Sequence, residues 1–219
     1  MKHHAEIPRI LIRALITFTA LGGISSMPLP AAEIESITFS VSPRKPGGAT
    51  LFQLLPPEET GIDLVVPIDI AHPMRRAYYS SMACGNVAIG DVNLDGRPDV
   101  FASSGPGANT LYLQTGDLRF ENVAEALGLT GGDNWGVHTV LVDIDNDSDL
   151  DIYVCNYDRP NELYINLLID GGTRGKSLRF EERADAHGLN ISDGSVVAAF
   201  ADYDRDGHLD CYLLTHQIY

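Results

Sequence analysis

The chain has 219 residues, 44% of them hydrophobic, so a packed core is within reach and wholesale disorder is excluded. Its formal net charge of −15 argues against nucleic acid and against an anionic membrane surface as partners. Twelve of the 30 acidic residues fall in three nine-residue stretches, so the charge is concentrated where cations would sit rather than spread as a solvating coat.

The N-terminus has the layout of a secretory signal. Lys2, Arg9 and Arg13 form a basic region, Ala14 to Ile24 is largely apolar, and small residues (Ser25, Ser26, Ala31, Ala32) follow. Cleavage is expected between Ser26 and Glu33. The apolar run is shorter than the about 20 residues that span a bilayer, so no membrane span is expected after cleavage. Residues 1–32 are thus read as a signal peptide, 33–51 as an N-terminal segment with a strand at Ser36–Ser42 and a Pro/Gly-rich joint at Pro43–Gly48, and 52–219 as a repeat region.

Three features recur from Phe52 onward. The first runs from a phenylalanine to a Gly-hydrophobic pair: Phe52 to Gly61-Ile62, Phe120 to Gly128-Leu129 and Phe180 to Gly188-Leu189. A helical turn is expected in it over Glu121–Gly128 and Glu181–Gly188. The second is a strand that enters an acidic loop, as in Asn86–Asp91, Val137–Asp143 and Ser195–Asp202. The third is a strand that leaves the loop, followed by Asn-x-Leu-Tyr at Asn109–Tyr112 and Asn161–Tyr164. β-Branched and aromatic residues dominate these flanks, with turn residues between them, so the units are strands. For the first unit the expected strands are Asn86–Gly90, Asp99–Ser103, Asn109–Gln114 and Leu118–Val123.

A period of about 50 to 60 residues with four strands in each unit is the layout of β-propeller blades. The fold class is therefore all-β. The chain holds about two and a half four-stranded antiparallel blades of a longer propeller, the third cut short after its second strand. Two insertions interrupt the period: one between Gly61 and Ser81 that contains His72-Pro-Met-Arg-Arg76, and a Gly-rich one at Asp170–Lys176. Insertions of this kind collect on one face of a repeat array, and both read first as variable surface loops.

The acidic loops carry the chemistry. Asp91-Val-Asn-Leu-Asp-Gly-Arg-Pro-Asp99, Asp143-Ile-Asp-Asn-Asp-Ser-Asp-Leu-Asp151 and Asp202-Tyr-Asp-Arg-Asp-Gly-His-Leu-Asp210 place oxygen side chains at positions one, three, five and nine. Oxygens at alternate positions converge only if the backbone curls, and a glycine at position six (Gly96, Gly207) permits the curl. Ser148 stands at that position in the second loop and puts its turn in question. Hard oxygens in that number suit Ca²⁺, whereas Mg²⁺ keeps more of its waters. Without a cation each loop crowds like charges together. An EF-hand shares positions one, three, five and six but needs a glutamate at position twelve between helices; here position twelve is Ala102, Val154 and Leu213, and the flanks are strands.

No Gly-x-Ser-x-Gly, His-Glu-x-x-His or phosphate loop is present. His138 and His216 lack a matched nucleophile or metal partner and read as packing or surface residues. Trp135 and Tyr153 likewise read as packing residues rather than sugar platforms. Cys84, Cys155 and Cys211 follow no disulfide framework; Cys211 reads as a small buried hydrophobe, and a Cys84–Cys155 bridge stays open as the alternative.

The segments Ala88–Val100, Val142–Tyr153 and Asn161–Tyr164 resemble FG-GAP/VCBS repeats, the repeats of integrin-α-like propellers. The resemblance is closer to the secreted repeat proteins that carry an ASPIC/UnbV domain, the cartilage acidic protein family and its bacterial relatives. It implies a Ca²⁺-stabilised propeller outside the cytoplasm, extracellular or periplasmic, with no assigned catalytic residue. It further implies ion ligands at loop positions one, three, five and nine plus the carbonyl of position seven: Asp91, Asn93, Asp95, Asp99 and the Arg97 carbonyl; Asp143, Asp145, Asp147, Asp151 and the Asp149 carbonyl; Asp202, Asp204, Asp206, Asp210 and the His208 carbonyl. The expected function is adhesion or recognition of an extracellular protein or polysaccharide. The alternative is an extracellular polysaccharide lyase or hydrolase whose catalytic face is completed by further blades.

Overall fold

The computed structural model describes residues 53–66, 68–75, 85–170, 173–174 and 177–216. The segment read as a signal peptide, the stretch Ser36–Ser42 expected as a strand, Phe52 and Cys84 lie outside the described residues. Among the described residues no helix is long and apolar enough to cross a membrane.

The first blade is a four-stranded antiparallel sheet in chain order: β1 (Asn86–Gly90), β2 (Asp99–Ser104), β3 (Gly107–Gly116) and β4 (Arg119–Asn122). Gly90 pairs with Asp99, so β1 and β2 form a hairpin closed by the first acidic loop. The second blade repeats this plan with β5 (Gly136–Val142), β6 (Asp151–Pro160), β7 (Glu162–Asn166) and β10 (Phe180–Glu182), and Val142 pairs with Asp151 across the second loop. The Gly-rich insertion forms a two-stranded ribbon, β8 (Ile169–Asp170) with β9 (Thr173–Arg174). The third unit is a half blade, β11 (Ser192–Ala201) with β12 (Asp210–His216), closed by the third loop.

The blades are stacked by the two faces of β6. Ile152 and Val154 point into a cluster with Val92, Phe101, Leu111, Ala124 and Leu129 of the first blade. Tyr153 and Cys155 point the other way, toward Ala198, Phe200, Cys211 and Leu213 of the half blade. All four β6 residues are fully buried. A strand covered on both sides loses the polar/apolar alternation of a solvated sheet, which explains the unbroken run Ile152-Tyr-Val-Cys155. Cys155 is a buried free thiol, and burial pushes its pKa up to about 12, so it behaves as an inert hydrophobe. Cys211 is also free but only half-buried, because among the described residues nothing covers the far side of β12.

Hydrogen bonds join the units at several points. At one end, Gly105, just beyond β2, and Gly136 at the start of β5 exchange backbone bonds of 3.0 and 3.1 Å. A Cβ at Gly136 would stand 2.8 Å from the Ser103 Cβ and 2.9 Å from Asn109 Oδ1, so the approach requires glycine. The start of β11 pairs with the end of β6, from Ser192 opposite Pro160 to Gly194 opposite Tyr157. Along the first strands, the Thr139 amide donates to Asn86 Oδ1 (3.3 Å) and the Ala198 amide to His138 Nδ1 (3.5 Å). Asn86 and His138 hold the same place, five residues before their loops, so one blade-to-blade contact is used twice. Burial lowers the His138 pKa and keeps the ring neutral, the state in which a ring nitrogen accepts.

The expected turns at the blade edges are present. Leu127 and His187 donate back four residues to Val123 and Arg183, and Gly128 (φ 71°) and Gly188 (φ 68°) close the turns. In the first unit the equivalent segment is a single helical turn, α1 (Pro57–Thr60), ended by Gly61 at φ 81°.

Candidate metal centres

Each acidic loop is held by the same backbone-to-carboxylate bonds. The position-one carboxylate accepts the amides of positions five and six. In the first loop Asp91 accepts Asp95 (3.0 Å) and Gly96 (2.8 Å), in the second Asp143 accepts Asp147 (3.0 Å) and Ser148 (3.1 Å), and in the third Asp202 accepts Asp206 and Gly207 (both 3.1 Å). The position-five carboxylate accepts the amide of position seven at 2.9, 3.0 and 2.8 Å in the three loops. The aspartate at position nine opens the outgoing strand and reaches back to the amide of position two: Asp99 to Val92, Asp151 to Ile144 and Asp210 to Tyr203. These bonds fold a nine-residue acidic run into a ring with its carboxylates inward.

Position six adopts the left-handed conformation in all three loops: Gly96 at φ 85°, Ser148 at φ 80° and Gly207 at φ 91°. The serine makes the same turn as the glycines, so the second loop is intact, at the steric cost a Cβ incurs there. Ser148→Gly is therefore expected to stabilise the protein by about 0.5–1 kcal/mol, read as a small rise in Tm.

One oxygen each of Asp143, Asp145 and Asp151 lies within 4.8 Å of the others, and the same holds for Asp202, Asp204 and Asp210. Ligands on opposite sides of a Ca²⁺ ion at roughly 2.3–2.6 Å stand up to about 5 Å apart, so one ion reaches all three oxygens of either set. All the donors are carboxylates, which fits a hard divalent cation. The structure thus brings together positions one, three and nine of the second and third loops. Asp147 and Asp206, expected as ligands at position five, lie outside these sets and spend one oxygen on the loop backbone. In the first loop Asp91, Asn93 and Asp99 hold the equivalent places, but Arg97 pairs with Asp95 at 2.6 Å and donates from Nε to the Gln114 carbonyl. This loop carries its own cation, so its demand for a metal is smaller.

The position-nine carboxylates are the most perturbed. Asp151 is fully buried, and burial raises its pKa to about 7 against the lowering pull of the Ile144 and Asn166 amides. Asp99 is raised for the same first reason; Asp145, an exposed residue, is raised by partial desolvation of its carboxylate within the crowded loop and then by the neighbouring Asp147 charge. A nearby cation supplies the compensation these carboxylates lack.

Two functional contacts escape a reading of the motifs alone. The Asn166 side chain, fully buried, donates to the Val92 carbonyl in the first loop (2.8 Å), and Asn146 donates to the Gly207 carbonyl in the third (3.2 Å). Adjacent loops are therefore wired together. The available signal is positional: Asn166 lies fifteen residues beyond Asp151, as Gln114 does beyond Asp99, and each donates its amide to that aspartate.

A β-propeller blade repeated in tandem, with an acidic loop closing the first hairpin of each unit, defines the class. The family model described as FG-GAP-like repeat matches residues 91–154 and 143–213, and the chain belongs to that family. Among curated proteins it is similar to cartilage acidic protein 1 of Homo sapiens (28% identical), Mus musculus (26%) and Xenopus tropicalis (24%), each over 126 residues and 58% of this chain. The match covers 18 to 19% of the relatives' own length.

Proposed function

We propose that the chain is a secreted calcium-binding propeller module for adhesion or recognition, with Ca²⁺ in a structural role. The observation that carries the reading is the convergence of three carboxylate oxygens in each of two successive loops, at the hairpin where a blade begins. The ion neutralises the loop and staples its two strands. The ligands are the fifteen loop residues named above, with the second and third loops holding the tighter sites because, among the described residues, no arginine is paired with their carboxylates as Arg97 is with Asp95. Residues 1–32 act as an export signal, residues 33–51 link it to the repeats, and export delivers the loops to millimolar Ca²⁺, where modest affinities suffice.

Val87 and Ile89 on β1, and Val197, Tyr212 and Leu214 on the half blade, expose large apolar side chains on the two outward faces of the stack. Those faces receive further blades, in keeping with relatives several times the matched length. The module recognises its protein or polysaccharide ligand without turning it over.

Isothermal titration with Ca²⁺ tests the reading. Two to three ions per chain are expected, Asp143→Ala and Asp202→Ala each removing one, and chelation is expected to lower Tm. An absence of binding heat together with a melting curve indifferent to the chelator overturns it.

A further inference from the structure

The strands that begin at the acidic loops end at a cleft. β2 leaves its loop at Asp99 and turns at Pro106, and β6 leaves at Asp151 and reaches Asp158 and Arg159. Strands of that length separate the two ends by about 20 Å. Between the far ends lies a cavity of about 380 Å³, closed on one side by the insertion turn His72-Pro-Met74 of the first unit. That volume is at the lower end of the range for small-ligand sites.

The cleft is built rather than incidental. Trp135 forms its floor, only 2% exposed, and the His72 ring stands edge-on to the indole at 5.0 Å. His72 Nδ1 accepts the Met74 amide (3.1 Å), so a neutral ring carries its proton on Nε2 and offers a donor. The insertion is thereby anchored to the blade by a residue that also presents a polar atom. On the opposite wall Asp158 is held at φ 55°, a left-handed conformation uncommon for a side chain with a Cβ and concentrated at binding sites. Its neighbour Arg159 donates to the Asp158 carbonyl (3.0 Å).

The polar groups select the ligand. Asp133 and Asp158 supply carboxylate acceptors; Arg159 and His72 supply donors. Two carboxylates against one guanidinium leave one net negative charge, which disfavours an anionic ligand; all three groups are exposed, so that single charge, screened by salt, draws a cation only weakly. What remains is a neutral molecule that both donates and accepts and has apolar edges for the Pro73, Met74 and Pro106 walls. We infer that this cleft binds a neutral saccharide, a monosaccharide unit or the end of a glycan chain. The inference rests on the recognition-module reading and supplies its ligand class and its place.

Trp135 is the only tryptophan, so its fluorescence reports on the cleft alone. The full chain, loaded with Ca²⁺, is titrated with galactose, mannose, N-acetylglucosamine and their disaccharides, with glucuronate and glucosamine as charged controls. A saturable change at roughly millimolar concentration is expected for at least one neutral sugar. Asp133→Ala and Arg159→Ala, both at exposed positions, are expected to weaken it about tenfold or more with the Ca²⁺ stoichiometry unchanged. The inference is overturned if no neutral sugar gives a saturable change, if a charged control binds more tightly, or if both variants bind as the parent does. Sugar binding in a protein that takes up no Ca²⁺ would sink the metal reading and leave the cleft standing.

Discussion

Asp151→Ala is expected to cost about 3–5 kcal/mol in metal-stripped protein, within the range for leaving two buried amides without an acceptor. Its carboxylate is fully buried and accepts the Ile144 and Asn166 amides, both at 2.8 Å. One side chain therefore ties the loop to two strands of the second blade. Alanine leaves both amides without an acceptor, each worth about 1–3 kcal/mol, and opens a polar void beside the Asn166 side chain. For a chain of this size that corresponds to a fall in Tm of about 6–20 °C.

Working without metal separates this effect from ligand loss. Asp145→Ala is the control, since Asp145 is exposed and its removal relieves repulsion from Asp143 and Asp147; its effect on metal-free stability is expected within about 0.5 kcal/mol. Asp99→Ala is expected to match Asp151→Ala, because Asp99 is equally buried and accepts Val92 (3.0 Å) and Gln114 (2.9 Å). Asp210→Ala is expected to cost much less: Asp210 is not buried, and its third-loop bond is to Tyr203 alone among those two partners. Equal costs at Asp145 and Asp151 would defeat the account.

The contrast between Asp151 and Asp145 also marks how far the sequence can be read. Both are loop aspartates at odd positions, and the motif treats them alike. The strands were legible because each unit sets β-branched and aromatic residues between turn residues: β1 falls on Asn86–Gly90 as expected, and β2 to β4 differ from expectation by one or two residues at their ends. The turn before Leu129 was legible from Gly128. The burial that splits the loop aspartates was not, because it depends on which blade lies over which, a contact between residues more than fifty positions apart. Asn166 reaching Val92 and His138 facing Ala198 are of the same kind. The cleft escaped for a related reason. His72 and Trp135 each look like an ordinary loop or packing residue until the insertion is folded back onto the start of β5. At Ser148 the motif favours glycine, yet the structure holds serine at the same φ because the Asp143 carboxylate accepts its amide and fixes the turn.

The loss of stability with rising pH is expected to disappear when calcium is added. In metal-free protein the Asp151 pKa stands at about 7, raised by burial from the ordinary aspartate value of 3.8. A group raised on folding contributes stability that is fully present below its unfolded pKa and is lost as pH rises through the folded one. Metal-stripped protein is therefore expected to lose stability between about pH 4 and pH 7, and Asp99 and Asp145, raised in the same direction, reinforce the slope. Calcium takes the ionised carboxylate, so below pH 7 its binding must expel the Asp151 proton. One proton per ion makes the second-loop affinity fall about tenfold for each pH unit, roughly 100-fold from pH 7 to pH 5, or about 2.7 kcal/mol. Melting curves collected over that interval should fall with pH in stripped protein and stay nearly flat in saturating Ca²⁺, where neither the ion-bound folded state nor the unfolded chain holds the Asp151 proton. Titration calorimetry at pH 6 in buffers of different ionisation enthalpy should register release of about one proton at this site. Parallel slopes with and without calcium, or binding with no proton release, would mean that the buried carboxylate is not a ligand and that the ion, if any, sits on the exposed rim of the loop.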